Sequence, residues 1–256
     1  MDKSHILLST DTLSGYWLDH IFELAENVGF GGIDLAMWKN FDTRNSSYVK
    51  KLKSKYKIAV PIIQVSSEIN SKEMDQALEL AQILDTKHIM INPPSTFNVR
   101  SYHFITTQLP KIQEAHPDII FSIINPPEDT VFILPIRKFK FNNLDQITSK
   151  HNCHLWIDIT HVDGDFIDSD VMKKLPHYLK HIVTMYISDK SIKKSHRHLP
   201  LGEGDMKYEL LFKKLTKLWY SWFVSVKYVL TKKQLADMDE VEVILKKAIN
   251  TISTSL

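Results

Sequence analysis

Short apolar runs alternate with longer amphipathic segments along the whole chain. The runs are rich in Ile, Val and Leu, and the segments between them carry apolar residues at the i, i+3 and i+4 spacing of a helix, as in YWLDHIFELAENVG and SKEMDQALELAQILD. Ser71, which opens the second of these segments, is predicted to cap its helix. The predicted strands begin near His5, Gly32, Ile58, His88, Ile119, Leu155, Ile182 and Trp222.

This alternation indicates a parallel sheet covered by helices. The strand starts recur about every 25 to 40 residues, roughly the length of one βα unit, and eight such units close a barrel. We therefore predict a single (β/α)8 TIM barrel spanning residues 1–256. The alternative is an open doubly wound sheet, but the turn after the first run, DTLSGYW, lacks the glycine-rich pattern of that fold. The segment EDTVFILPIRKFKFNN is predicted as a long loop or a short extra element.

Composition and charge exclude few functional classes. The content of 43% hydrophobic and 24% charged residues is ordinary for a globular protein, and a net charge of +2 requires no polyanionic partner. The single cysteine, Cys153, excludes an intrachain disulfide and fits a reducing compartment. The apolar run in MDKSHILLST is too short for a signal peptide, and no apolar stretch reaches the ~18 residues of a membrane span. We predict a cytoplasmic protein that binds neither membrane nor nucleic acid.

The most informative stretch lies between Leu155 and Asp205. In a (β/α)8 barrel the chemistry is found where the strands end and the βα loops begin. The sixth run ends in DITH, which places Asp158 and His161 at such a position, and HLPLGEG, which begins with His198, follows the seventh run. These three side chains are the first candidates for a site.

DITH, HLPLGEG and the second-strand segment GFGGIDLAM resemble motifs of the xylose-isomerase-like barrels. This superfamily includes sugar isomerases and epimerases and the endonuclease IV type of abasic-site nuclease. The resemblance implies a divalent-metal site, with Mn, Zn or Mg, that binds the oxygens of a sugar or, in the nuclease branch, activates water. Asp158, His161 and His198 would be the ligands if a metal binds.

The chain departs from these relatives where the resemblance implies other metal ligands. Ile124 replaces a Glu at the end of the fifth strand, Tyr186 replaces a His in the seventh, and Lys227 replaces a second Glu in the eighth. For the nuclease branch, Asn92 and His196 replace a His and an Asp. These replacements disfavour a divalent metal and predict a degenerate metal site.

The tetrapeptide INPP occurs twice, each time at the end of a predicted strand. Proline has no amide hydrogen and holds the preceding residue in an extended conformation, so each Pro-Pro pair ends a strand. We expect Asn92 and Asn125 to face the open end of the barrel. Their carboxamides are poorer ligands for a transition metal than carboxylate or imidazole.

Lys227 leads to a specific hypothesis about charge. A lysine among strand ends that would otherwise hold a cation repels one. A desolvated Asp158 also needs a positive partner. We therefore predict that the ammonium of Lys227 takes the place of the metal and pairs with Asp158.

Several further side chains are candidates for binding a ligand. Trp38 directly follows the second strand, where an aromatic ring can stack on a sugar, whereas Trp156 is predicted to be a core residue. The basic loop KSIKKSHRH is either a solvated surface or a site for a phosphate or carboxylate. The candidate substrate-binding residues are Asn92, Asn125, Tyr186, Trp38, Lys190, Arg197 and Glu203.

These observations predict a sugar or sugar-phosphate isomerase or epimerase with altered or lost metal dependence. Asp158, His161 and His198 would form its polar centre, and Lys227 would stabilise an enediolate or act as an acid or base. The alternative is a non-catalytic barrel that binds a carbohydrate or a protein. An abasic-site nuclease ranks last, because most of the metal ligands it requires are missing.

Overall fold

The computed structural model describes residues 2–39, 41–130, 136–194 and 196–256. Eight strands of these residues form the barrel, and each begins within one residue of its predicted start. They are β1 (Ile6–Ser9), β2 (Gly32–Ala36), β3 (Ala59–Val65), β4 (His88–Ile91), β5 (Ile120–Ile124), β6 (His154–Asp158), β7 (Ile182–Ile187) and β10 (Phe223–Val226).

The strands are all parallel and close into a ring in the order β1-β10-β7-β6-β5-β4-β3-β2. Closure comes from the first and last strands, since β1 pairs with β10 from Ile6 opposite Val224 to Leu8 opposite Val226. The predicted (β/α)8 barrel is confirmed, and the open doubly wound sheet is wrong. All carboxyl ends of the strands therefore meet at one open end of the barrel.

Helices cover the outside of the ring. The α-helices are α1 (Leu18–Val28), α2 (Ser46–Tyr56), α3 (Ser71–Leu84), α4 (Val99–Thr107), α5 (Leu109–Ala115), α6 (Leu144–Lys150), α7 (Asp170–Lys173), α8 (Leu175–Tyr178), α9 (Tyr208–Lys217), α10 (Lys232–Leu235) and α11 (Met238–Ser255). Short 3-10 helices span Lys3–His5, Thr10–Leu13, Phe41–Arg44, Ile159–His161, Phe166–Asp168 and Leu179–His181. The predicted cap of α3 is off by one residue, because Asn70 rather than Ser71 accepts the hydrogen bond from the Glu73 amide. None of the helices in the described part of the chain combines the length and hydropathy needed to cross a bilayer.

In the described part of the chain, a hairpin and a bridged segment lie beside the barrel. An antiparallel hairpin joins β8 (Asp189–Ser191) to β9 (His196–Leu199), within the basic loop that follows β7. The segment after β5 forms the predicted extra element: Thr130 bridges Arg137, and Phe139 bridges Ser95 in the loop after β4. Residues 131–135, in the middle of that segment, lie outside the described residues.

The core has two layers. The larger layer lies between the strands and the helices, and a smaller cluster fills the inside of the ring. Trp156 is fully buried in this inner cluster, which confirms its predicted core role. Ile124 and Tyr186 are in the same cluster, so both side chains at these expected ligand positions pack inside the barrel. The inner cluster consists of Leu7, Ile62, Met90, Ile124, Trp156 and Tyr186.

Candidate functional site

A cleft of about 770 Å³ opens at the carboxyl ends of the strands. Its wall is built from residues that follow the strands directly, such as Met37 after β2, Ser66 after β3, Asn92 after β4 and Lys227 after β10. His161, from the turn after β6, lies in the same wall. The cleft is therefore where a (β/α)8 barrel places its chemistry.

Asp158, the last residue of β6, is fully buried near this cleft. Its Oδ1 accepts two hydrogen bonds from Thr160, at 2.9 Å from the amide nitrogen and at 2.7 Å from the hydroxyl Oγ1. Its Oδ2 receives no hydrogen bond from the residues that the structure describes. The atoms facing Oδ2 are His161 Nε2 at 3.3 Å and His198 Nε2 at 3.7 Å.

The orientation of His161 follows from its other ring nitrogen. Nδ1 lies 2.7 Å from the carbonyl oxygen of Asn125, and a carbonyl can only accept, so Nδ1 carries the hydrogen. Neutral His161 therefore directs the lone pair of Nε2 toward Asp158 Oδ2.

His198 is fixed by a chain of hydroxyl groups. Its Nδ1 lies 3.4 Å from Thr160 Oγ1 and 3.3 Å from Ser188 Oγ. The Thr160 hydroxyl donates to Asp158, so toward His198 Nδ1 it can only accept, whereas the Ser188 hydroxyl can donate or accept. In the tautomer with its hydrogen on Nδ1, His198 Nε2 is also a lone pair aimed at Asp158 Oδ2. The backbone of His198 is left-handed, with φ of 60°, a strained conformation of the kind found at functional sites.

The ionisation states agree with this arrangement. Burial lowers the pKa of His198 to about 3 and also lowers the pKa of His161, so both imidazoles are neutral near pH 7. Burial would raise the pKa of Asp158, but at the acid pH where this carboxyl titrates His161 and His198 are protonated, and their positive charges hold its pKa well below the ordinary value. The charge of Lys227 acts in the same direction. The Asp-His-His cluster of Asp158, His161 and His198 thus presents one carboxylate and two neutral imidazoles.

These three residues fit a divalent metal ion. Their ligand atoms lie within 4.8 Å of one another, and no other group of three His, Cys, Asp or Glu residues in the described part of the chain does so. Each imidazole is held through its second nitrogen, as metal-bound histidines usually are. A carboxylate oxygen with no donor, facing two lone pairs, is repelled unless a cation lies between them. Two nitrogen donors and one oxygen donor suit Zn and similar transition metals.

The predicted pairing of Lys227 with Asp158 is wrong. Lys227 Nζ lies 3.2 Å from Asp11 Oδ2, and Lys39 Nζ lies 3.0 Å from Asp11 Oδ1. The Lys227 ammonium also lies 4.7 Å from the centre of the Tyr186 ring. β1 and β10 are neighbours in the closed ring, which brings Asp11 within reach of Lys227. Asp158 Oδ2 therefore remains open to a cation.

Two of the predicted ligand-binding residues line the cleft. Trp38 is half-buried in its wall, and its role as a stacking platform stays a prediction. Asn92 also lines the cleft and donates from Nδ2 to the carbonyl of Val65 at 2.9 Å. Asn92 therefore faces the open end of the barrel as predicted.

Asn125, by contrast, is bound to the backbone of Asp158. Its Oδ1 accepts from the Asp158 amide at 2.6 Å, and its Nδ2 donates to the Asp158 carbonyl at 3.1 Å. The carboxamide of Asn125 replaces part of the strand pairing that the following proline prevents. Asn125 therefore positions Asp158 and His161 instead of offering its side chain to a ligand.

The expected anion site in the basic loop is not formed by Lys190 and Arg197. Lys190 is buried in the hairpin and donates to the carbonyl of Val162 at 2.5 Å, and burial lowers its pKa. Arg197 forms a two-pronged ion pair with Asp129, at 2.7 and 3.2 Å. Glu203 is exposed in the turn after β9. Hairpin pairing orients the loop so that Lys190 and Arg197 are engaged by local partners, and a binding role for Glu203 stays a prediction.

The sequence motifs did not identify several of the cleft residues. Asp11 and Lys39 follow β1 and β2 by only a few residues, and strand-end position was the signal that could have identified them. Phe139 comes from the segment after β5, which the sequence predicts only as a long loop or a short extra element. The remaining polar residues of the wall include Ser66, Ser67, Asn70, Glu73 and Gln76.

A second, smaller cleft of about 450 Å³ lies on the other side of His161. Pro127 and His161 line both clefts. The smaller cleft is polar, with Asp145 held by the hydroxyl of Tyr178 at 2.8 Å. His161, and with it the Asp-His-His cluster, therefore lies where the two clefts meet.

Solved structures share this fold across nearly the entire chain. A xylose isomerase domain protein of Salmonella typhimurium has a TM-score of 0.72 at 12% identity, with 98% of each chain covered. The 3-keto-D-glucoside 4-epimerase of E. coli has a TM-score of 0.70 at 12% identity, covering 95% of this chain and 99% of that one. A sugar phosphate isomerase/epimerase of Parabacteroides distasonis has a TM-score of 0.65 at 12% identity, with 97% of each chain covered.

At this level of identity the likeness establishes the fold. The chain therefore has the fold of the xylose-isomerase-like barrels, as its motifs indicated. No protein-family model matches the chain, and a search of curated proteins gave no match.

Proposed function

We propose that this protein is an isomerase or epimerase of a carbohydrate, with the Asp-His-His cluster as its reaction centre. The observation that supports this most is the convergence of Asp158 Oδ2, His161 Nε2 and His198 Nε2 beside a cleft at the strand ends. Structural neighbours described as sugar isomerases and epimerases support the same class of substrate. The proposed location is the cytoplasm.

Asp158, His161 and His198 would hold a divalent metal. When bound, such an ion polarises the carbonyl and hydroxyl oxygens of a sugar and makes the neighbouring C–H more acidic. Asn125 and Thr160 keep the three side chains aimed at one point. Ile124, Tyr186 and Lys227 leave this site with fewer ligands than the resemblance implies, so weakened metal binding stays part of the proposal.

Two charged groups near the cluster suit proton transfer. Asp11 lies between the ammonium groups of Lys39 and Lys227, and Asp11 and Lys227 both reach the cleft. Lys227 Nζ can donate a hydrogen bond to an oxygen that becomes negative as an enediolate forms. Asp11, whose pKa stays below its ordinary value because the two lysines offset the effect of burial, can accept a proton from a sugar hydroxyl or carbon. Trp38 offers a flat surface for one face of the sugar ring.

The experiment is a turnover assay with a panel of aldoses, ketoses and their phosphates, with Mn²⁺ or Zn²⁺ added or removed by chelator. Proton NMR of the products should reveal a new isomer or epimer for at least one sugar. Asp158→Asn should reduce that turnover at least about 100-fold, as expected when a reaction-centre group is lost.

A non-catalytic carbohydrate-binding barrel is the competing function, favoured by the packing of Ile124 and Tyr186 at expected ligand positions. It predicts that a sugar raises the melting temperature of the protein without any turnover. Binding without conversion across the whole panel, with and without metal, would contradict the isomerase proposal.

A further inference from the structure

The position of His161 at the meeting point of two clefts bears on the size of the substrate. Pockets of about 300 to 1,000 Å³ hold drug-sized ligands, and a single hexose is smaller than such a ligand. The larger cleft, of about 770 Å³, already exceeds what one hexose needs. The smaller cleft, of about 450 Å³, is then available for a second unit on the other side of His161.

The lining of the smaller cleft suits a neutral sugar. Pro127, which is half-buried, offers apolar surface to a ring face, and Asn142 and Lys174 offer groups that hydrogen-bond to hydroxyls. The carboxylate of Asp145 is held in place by the Tyr178 hydroxyl at 2.8 Å and lies 3.7 Å from Lys174 Nζ, so it is a fixed acceptor.

The two clefts differ in the charge of the residues that line them. Among the residues that the structure describes, the smaller one is lined by three carboxylates, Glu128, Asp145 and Asp170, and by two cations, Arg137 and Lys174. The described lining of the larger one has four cations and three carboxylates. A phosphate or carboxylate is therefore less favoured in the smaller cleft than in the larger one. The cations of the larger cleft are Lys39, Arg44, Lys72 and Lys227, and its carboxylates are Asp11, Glu68 and Glu73.

We infer that the substrate is a glycoside of at least two units, with the reacting sugar in the larger cleft and a neutral sugar in the smaller cleft. This inference rests on the proposed carbohydrate function and makes it more specific. Asn142, Asp145, Lys174 and Tyr178 form the second subsite. The glycosidic link passes the ridge formed by Pro127 and His161.

The test compares hexoses with the disaccharides built from them, using glucose, galactose and fructose against maltose, cellobiose, lactose and sucrose. Calorimetry gives the affinities, and saturation-transfer NMR identifies which ring contacts the protein. At least one disaccharide should bind about tenfold or more tightly than either of its units, with saturation transfer to both rings.

Asn142→Trp should fill the smaller cleft, because Asn142 is exposed in its wall. It should remove the disaccharide advantage and leave hexose affinity unchanged. Gln146→Trp is the matched control: it is an exposed position one turn further along, on α6, and should leave both affinities unchanged. Lys174→Ala, a milder change, should reduce only the disaccharide affinity, by severalfold.

Equal affinity for hexoses and disaccharides, or an advantage that survives Asn142→Trp, would overturn this inference and leave the proposed function standing if a hexose is converted. If no sugar of either size binds, with or without Mn²⁺ or Zn²⁺, the inference and the carbohydrate function both fail.

Discussion

The Asp158→Asn variant distinguishes between two roles of Asp158, a group of the reaction centre and a member of a structural ion pair. If Asp158 is mainly a structural anchor, its neutralisation should unfold or strongly destabilise the protein. If Oδ2 is reserved for a cation, the amide should be tolerated, because its new NH₂ group faces the lone pairs of His161 Nε2 at 3.3 Å and His198 Nε2 at 3.7 Å.

The expected free-energy change is small. Oδ1 keeps both hydrogen bonds from Thr160, but each becomes weaker by about 1 kcal/mol because the acceptor is no longer charged. One new hydrogen bond to His161 stabilises the variant by about 1 kcal/mol. The removal of a fully buried charge stabilises it by at least about 1 kcal/mol more. The free energy of unfolding of the metal-free variant should therefore lie within about 1 kcal/mol of wild type.

Urea unfolding in the presence of chelator measures this change, and calorimetry with Zn²⁺ measures the loss of metal affinity, expected to exceed about 100-fold. Asp165→Asn is the matched control. Asp165 is also buried, but both its oxygens accept backbone hydrogen bonds, from Ile167 and Lys207, each at 3.1 Å. In Asp165→Asn the new side-chain NH₂ group faces one of these backbone N–H donors, so the free energy of unfolding should fall by about 1 to 3 kcal/mol. The metal affinity should stay unchanged. Destabilisation of Asp158→Asn by more than about 3 kcal/mol, with metal affinity intact, would refute the reasoning.

Three further predictions concern Lys227, the fully buried Asp34 in the middle of β2, and Trp38. Lys227→Met removes a positive charge that acts on Asp158 and both histidines, so Zn²⁺ affinity should rise by about tenfold; an unchanged or lower affinity in calorimetry would contradict this. Burial raises the pKa of Asp34 from 3.8 to about 6 in the folded protein. The unfolded chain therefore loses this proton at a lower pH than the folded protein does, and the free energy of unfolding falls as pH rises from about 4 to 6. Urea unfolding should show that the free energy of unfolding of Asp34→Asn lacks this fall, which is up to about 3 kcal/mol in wild type. The same pH dependence in wild type and variant would contradict the prediction. Trp38→Ala should raise KM for the sugar by about tenfold with little change in kcat, and an equal fall in kcat with constant KM would argue against stacking.

The fold could be predicted from the sequence because it depends on local patterns. Each apolar run became a strand, and Pro93 and Pro126 stop β4 and β5 next to the two asparagines. The grouping of Asp158, His161 and His198 was also predictable, because strand ends must meet in a closed barrel and the motifs mark two of those ends.

The partners of individual side chains could not be predicted in the same way. Lys227 reaches Asp11, more than 200 positions away in sequence, because ring closure makes β1 and β10 neighbours. Lys190 turns inward because the hairpin places it over the carbonyls of Val162 and Gly164. Asn125 bonds to the Asp158 backbone, a role that depends on the register of two strands.

The convergence of three lone pairs on one point is tested most directly by anomalous diffraction from crystals soaked in Mn²⁺ or Zn²⁺. We predict a single strong peak about 2.0 to 2.3 Å from Asp158 Oδ2, His161 Nε2 and His198 Nε2, with Lys227 still paired to Asp11. Absence of a peak among these atoms at saturating metal, with the Lys227 ammonium turned onto Asp158 instead, would contradict it.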